Sequence, residues 1–198
     1  MMRRTILLMA TMALTLLVAS GVALAVTKIG TNGPDFLKGT NEADTLIGKG
    51  GNDKLFAWGG NDNLLGGTGK DWLFGGTDRG KTSGGEKNMV GGPGNDRLQG
   101  GKGSDNLVGN IGSDLLIDGY ELNPKQDTLS SGDGNDALWV WNRPAGKDVV
   151  SCGSGFDRVL ADRDDLLLPD CEKVFIGERK IDAWADSIPE SFWEGQPI

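Results

Sequence analysis

The sequence has no histidine, only two cysteines, a single tyrosine and 7% aromatic residues in 198. Without histidine the chain alone cannot build a Ser/His/Asp or Cys/His relay, nor an imidazole-ligated zinc or haem site. Basic charge is short as well, with 20 Lys and Arg against 28 Asp and Glu. Such a balance repels phosphates, which argues against nucleic acid and anionic lipid and for cations as partners. Glutamate is scarce even among the acids, 7 against 21 Asp, although the two titrate alike. Asp differs in length and turn preference, so the chain asks for short carboxylates in turns. Glycine is in excess, at 33 residues.

One long apolar run exists, at the start. Arg3 and Arg4 precede uncharged residues 6–26, and Ala23, Leu24 and Ala25 form an AxA-like site. Residues 1–25 are therefore expected to be a secretory signal peptide cut between Ala25 and Val26. A retained signal anchor is the open alternative, because the run is long enough to span a bilayer. Cleavage would leave a secreted, extracellular chain with no stable membrane insertion. Its 173 residues would carry 18 − 28 = −10 charges, about one domain. Cys152 and Cys171 suit an exported protein whose single pair oxidises; metal-binding thiolates would want CxxC spacing and further soft ligands.

The organising feature is an internal repeat. Asp35, Asp44, Asp53, Asp62 and Asp71 are nine residues apart, and each is followed two places later by Leu. The register returns with Asp96, Asp105 and Asp114, and again in Asp127/Asp136 and Asp148/Asp157. Residues 66–71 (GGTGKD), 91–96 (GGPGND) and 100–105 (GGKGSD) match the first six places of a GGxGxDxUx unit in full, U being a large aliphatic residue. Glycines at places 1, 2 and 4 permit positive φ and turn carbonyl oxygens toward a common centre. Calcium takes six to eight hard oxygens, and one short Asp per unit supplies a carboxylate to such a centre. Place 8 lies in a short strand whose alternation points its aliphatic side chain inward. One unit buries one Leu and cannot fold alone, whereas stacked units share a core.

This nonapeptide resembles the hemolysin-type calcium-binding (RTX) repeat, over about residues 30–160. The resemblance implies an all-β chain: a right-handed parallel β-roll, two nonapeptides per turn, with Ca2+ held between turns two units apart. It places metal ligands at Asp35, Asp44, Asp53, Asp62, Asp71, Asp96, Asp105 and Asp114, and bridges Asp35 with Asp53, Asp44 with Asp62, Asp53 with Asp71, and Asp96 with Asp114. Asp136 and Asp157, each preceded by two glycines, are carried as further ligands. Asp127 keeps no glycine before it and is read as structural. Glu42, Lys49, Ala57 and Trp58 stand where glycine belongs, so their sites are expected to be weakened or shifted by one residue.

Residues 75–90 are expected to be an irregular insertion. Gly75, Gly80, Lys81 and Thr82 formally fit a P-loop, but Ser83, Gly84 and Gly85 follow where a helix must begin. Residues 26–160 are read as the roll, 161–177 as a capping segment tied by the disulfide, and 178–198 as a tail. Solenoid ends expose their core and strand edges and need such a cap. Asp162, Asp164, Asp165 and Asp170 are read as an exposed acidic loop, with metal chelation as the competing possibility. In the tail, Ile181, Trp184, Ile188 and Phe192 recur at helical steps. Docking of this tail on outward Phe56, Phe74, Ile47 and Leu65, a dimer contact and an unstructured tail stay open.

Catalytic RTX proteins carry a separate catalytic domain, and repeats fill most of this chain, so no enzyme is expected. The expected role is structural, adhesive or another binding role outside the cell, toward an extracellular macromolecule or a second copy. The alternatives are a non-catalytic module related to polysaccharide-modifying enzymes, or an ice-binding solenoid. Ice binding wants outward Thr rows, whereas place 7 reads Phe36, Thr45, Lys54, Asn63, Trp72. RTX proteins typically leave through a C-terminal signal, from which this N-terminal leader departs.

Overall fold

A computed structural model of the protein describes residues 24–76, 86–119, 125–140 and 146–176. Most of the expected leader, the P-loop-like Gly80, Lys81 and Thr82, and the tail with Ile181, Trp184, Ile188 and Phe192 lie outside these residues.

The described residues form sixteen strands and no helix. Strands alternate between two sheets as the chain advances. The first sheet holds β1 (Thr27–Ile29), β3 (Thr45–Gly50), β5 (Asp62–Thr68), β7 (Lys87–Pro93), β9 (Asn106–Ile111), β11 (Thr128–Gly134), β13 (Val149–Gly155) and β15 (Leu166–Leu167), in that order. The second holds β2 (Phe36–Lys38), β4 (Lys54–Phe56), β6 (Trp72–Phe74), β8 (Arg97–Gln99), β10 (Leu115–Ile117), β12 (Ala137–Trp139), β14 (Arg158–Ala161) and β16 (Lys173–Ile176). Pairing is parallel throughout, with Leu37 beside Leu55 and Leu55 beside Leu73. The protein is an all-β parallel β-solenoid.

Place 8 of each repeat lines the interior. Leu46, Leu55, Leu64, Leu73, Leu98 and Leu107 are 0–2% exposed, and Met89 takes the same place in β7. Fully burying such a side chain contributes roughly 2 kcal/mol. Place 1 adds Ala57, Val140, Cys152 and Ala161 to this core, while Asp118 and Ser131 at the same place are buried polar residues.

Two boundaries differ from the sequence reading. Lys87–Pro93 forms β7 in full register between β5 and β9, so the irregular stretch ends earlier than residue 90. The roll also continues past residue 160, because β15 and β16 extend both sheets. The capping segment is thus itself a turn of roll. Its Cys171 joins Cys152 in a disulfide that ties this last turn to the one before.

Lys49, Trp58 and Asn110 hold positive φ (85°, 80° and 83°), the conformation Gly67 adopts beside Lys49. The turns have not shifted by one residue; the substituted residues accept the left-handed backbone, which costs about 1–2 kcal/mol each at Lys49 and Trp58 and less at Asn110. Outside the core, Phe36, Phe56 and Phe74 form a ladder on the second sheet, centroids 5.3 and 4.8 Å apart. Further along, outward Leu115, Ile117, Ala137, Leu160 and Phe175 make a second buried cluster against Trp139.

Candidate metal centre

The strands fix two edges. At the first edge the chain passes from first to second sheet, and Asp35, Asp53, Asp71, Asp96, Asp114, Asp136 and Asp157 end its turns. At the second edge, where it returns, stand Asp44, Asp62 and Asp105, followed by Asp127 and Asp148. Odd and even repeats fall on opposite edges because each repeat spans half a turn.

Each edge is a carboxylate ladder. Asp35 N–H donates to Asp53 Oδ1 at 2.8 Å, and Asp44 N–H to Asp62 Oδ1 at the same distance. Asp53, Asp71, Asp96, Asp114 and Asp136 continue the first edge, each donating at 2.8 Å to the next Asp. Asp157 N–H ends it on Glu172 Oε2 at 2.9 Å. The Asp pairs expected to share an ion are therefore neighbours on adjacent turns, and the ladder carries across the longer interval from Asp71 to Asp96.

One oxygen per rung is thus satisfied; the other is not. The Oδ2 atoms of Asp53, Asp71, Asp96, Asp114, Asp136 and Asp157 are buried with no hydrogen-bond partner. They face a cleared space: a Cβ placed on Gly66 would lie 2.5 Å from Asp71 Oδ2 and 2.7 Å from Gly91 O. A Cβ on Gly109 would meet Asp114 Oδ2 and, at 2.5 Å, Ser131 O. A carboxylate oxygen and the next turn's carbonyl oxygen thus converge where glycine leaves no side chain. An unpartnered buried carboxylate oxygen is costly, and hard oxygens are what calcium selects, so the donors fit Ca2+.

Asp35 and Asp44 are different. The Thr31 and Thr40 hydroxyls donate to their Oδ2 atoms at 3.0 and 3.1 Å, joined by the Thr backbone N–H groups. These two carboxylates are served by the chain itself.

Burial pushes the first-edge carboxyls up: Asp71 to about 6, Asp96 to about 7, Asp114 to about 8 and Asp136 to about 6. The donated N–H of the preceding turn pulls each value down, and neighbouring carboxylates push it up. The rise is greatest mid-column, where water is furthest away.

Sequence reasoning missed a second arrangement. Asp118, Asp127 and Asp148 are fully buried on the second edge, each offering a carboxylate oxygen within 4.8 Å of the others. Burial, then repulsion from Asp105, Asp118 and Asp148, drives Asp127 to about 9. Three converging carboxylates suit a divalent cation without carbonyl help. Asp118 stands at place 1, where glycine is the rule, and that swap was the signal available in the sequence.

The acidic loop divides by role. Asp165 accepts from Asp148 N–H at 3.1 Å and Asp162 N–H at 2.7 Å, closing the second-edge ladder. Asp170 accepts from the Ser151 hydroxyl at 2.9 Å and Gly153 N–H at 3.0 Å, fastening the last turn beside the disulfide.

Two parallel sheets joined by glycine turns, with hard oxygens stacked along the edges, define a metal-binding β-solenoid. The family model of the RTX calcium-binding nonapeptide repeat matches residues 29–64, 59–79, 88–117 and 124–141 in 4 copies. The chain belongs to the RTX calcium-binding nonapeptide repeat family, and its repeats bind Ca2+. No curated protein and no solved structure matches it. RTX repeat solenoids are structural calcium-binding modules, typically non-catalytic, and the proteins that carry them are commonly extracellular.

Proposed function

We propose that this is a secreted, non-catalytic protein whose β-roll folds on binding Ca2+ and serves as a structural or adhesive element outside the cell. The row of buried first-edge Oδ2 atoms without partners carries the reading. In the metal-free roll these carboxylates must either ionise unpaired in a dry interior or hold protons, and each choice weakens the fold near neutral pH. Asp53, Asp71, Asp96, Asp114, Asp136 and Asp157 are assigned the ions of the first edge; Asp105 and the Asp118/Asp127/Asp148 group are assigned those of the second. Asp35 and Asp44 are weaker ligands, their Oδ2 atoms already bonded to Thr31 and Thr40.

Residues 1–25 are assigned to export. No helix among the described residues is long and apolar enough to cross a membrane.

Circular dichroism in metal-free buffer and in millimolar calcium tests the central claim. The strand signal is expected only with calcium at pH 7.5; a chain equally folded in both conditions overturns it.

One observation favours a second reading. Sorted by sheet, place 7 of the first sheet reads Thr27, Thr45, Asn63, Asn88, Asn106, Thr128 in register, beside an aliphatic row starting Ile29, Ile47, Leu65. The sequence order had interleaved this row with the aromatic face of the other sheet. A regular face of this kind suits a repetitive ligand such as ice, and inhibition of ice recrystallisation by the calcium-loaded protein tests it.

A further inference from the structure

The second-edge ladder changes chemistry at one rung. Where its neighbours enter the first sheet with Asp, β7 begins with Lys87. The backbone keeps step: Lys87 N–H donates to Asp105 Oδ1 at 2.9 Å, and Asp62 N–H uses Glu86 O at 3.0 Å in place of a carboxylate. The side chain passes over Gly75 of its own turn, its Cγ 2.9 Å from where a Cβ there would lie, and reaches the preceding turn. Its Nζ ends 2.8 Å from Gly60 O and 3.7 Å from Asp62 Oδ2. Neither side chain of the pair has any exposed surface.

A fully buried lysine is rare unless its charge is paired. Here the ammonium meets a repeat carboxylate and a glycine-turn carbonyl, the two kinds of oxygen that converge at the first-edge rungs. We propose that Lys87 is a tethered cation standing in for calcium at the Asp62 rung, so that one crosslink midway along the roll closes without metal. The proposal rests on the calcium reading above and narrows it: Asp62 is withdrawn from the ion-holding set, and the chain carries its own charge at that place.

The chemistry supports the substitution. An ammonium and a calcium ion both seek hard oxygens, and an ammonium held at the Asp62 carboxylate repels a second cation from it. The lysine adds one charge where the ion would add two, and it neutralises the single Asp62 carboxylate. A side chain on the same strand is present at every calcium concentration, so the rung cannot be emptied by a chelator.

Three measurements test this. Calorimetric titration should show Lys87→Gln binding one more Ca2+ per chain than the unaltered protein, with a wider gap between its melting temperatures in calcium and in chelator. An unchanged ion count overturns the proposal. Should Lys87→Gln fail to fold, Lys87→Asp restores the repeat residue and is held to the same count. Independently, reductive methylation of the unaltered calcium-loaded protein, read by peptide mass, should label Lys87 at least tenfold more slowly than Lys54. Equal rates would mean that the ammonium is not enclosed. If the unaltered protein takes up no calcium at all, the metal reading fails instead, and the methylation result still reports on Lys87.

Discussion

Along the first edge, every turn from residues 30–35 to residues 152–157 keeps glycine two places before its Asp: Gly33, Gly51, Gly69, Gly94, Gly112, Gly134 and Gly155. Along the second edge that glycine survives before Asp62, Asp105 and Asp148, as Gly60, Gly103 and Gly146, but gives way to Glu42 before Asp44 and to Lys125 before Asp127. The difference follows from how closely the backbones approach. A Cβ on Gly94 would collide with Gly69 O, and one on Gly112 with Gly94 O, so the first edge is a continuous stack with no room for change. The second edge departs from that stack at several rungs, and its charges are handled locally by a lysine at one rung and a carboxylate trio at another. Two edges built from one repeat thus show that strand register depends on place 8, while the close stacking of the turns depends on the glycines.

The largest effect expected from breaking this contrast is at Gly94. Gly94→Ala puts a methyl onto the Gly69 carbonyl at φ 148°, and should lose about 3 kcal/mol of stability at saturating calcium. Glu42→Gly on the other edge should change stability by less than about 0.5 kcal/mol. Denaturant midpoints of the two variants decide it, and equal losses would remove the distinction between the edges.

The disulfide, which closes the last first-edge turn, comes next. Replacing both Cys152 and Cys171 by Ser should cost about 3 kcal/mol, since a loop with a sequence separation of 19 is released. Thermal unfolding at saturating calcium measures this, and an unchanged midpoint would mean that β15 and β16 hold without the bond.

pH should separate the metal-free from the loaded roll. Asp71, Asp96 and Asp114 have folded pKa values of about 6, 7 and 8 against an unfolded 3.8. A group raised on folding contributes its full stability below the unfolded value and loses it as pH climbs through the folded value. The metal-free roll is therefore expected to hold best near pH 4 and to weaken between about pH 4 and 8. Calcium must displace the same protons, so its affinity should rise across that window, by about tenfold or more from pH 5.5 to 8. Dichroism of metal-free protein and calcium titration at the two pH values check both signs; a metal-free roll firmer at pH 8 would refute them.

The smallest effect is a gain. Lys49→Gly relieves a left-handed lysine on the first edge and should add about 1 kcal/mol. Trp58→Gly relieves the same strain on the second edge, but it also removes the ring lying 5.9 Å from the Lys38 ammonium, so its gain should be smaller. Chemical denaturation of the two variants ranks them.

Much of this was legible in the sequence because the repeat is periodic in the residues that matter. Leu at place 8 reports the inward face, and Asp at place 6 reports the turn, so both sheets and the ladders follow from spacing. The exceptions escaped for physical reasons. Lys87 holds the Asp place with the opposite charge, so a search for carboxylates passes over it, although Met89 two places later keeps the core register. Asp118 replaces a glycine, and only the coil of the chain brings it beside Asp127 and Asp148. The burial of Leu115 and Ile117 depends on what lies over the outer face, which no repeat register encodes.

The carboxylate ladder has a consequence for how the protein responds to its surroundings. Each Asp gives one oxygen to the turn before it and directs the other toward the turn after it, so no site belongs to one turn alone. An ion that orders one rung also positions an oxygen of the next, and occupancy spreads along the column as in a nearest-neighbour chain. Such a chain fills over a narrower span of calcium concentration than an isolated site, with a Hill slope above one. The number of turns sets that steepness, so the length of the repeat array acts as a gain control, separate from the affinity of any single aspartate.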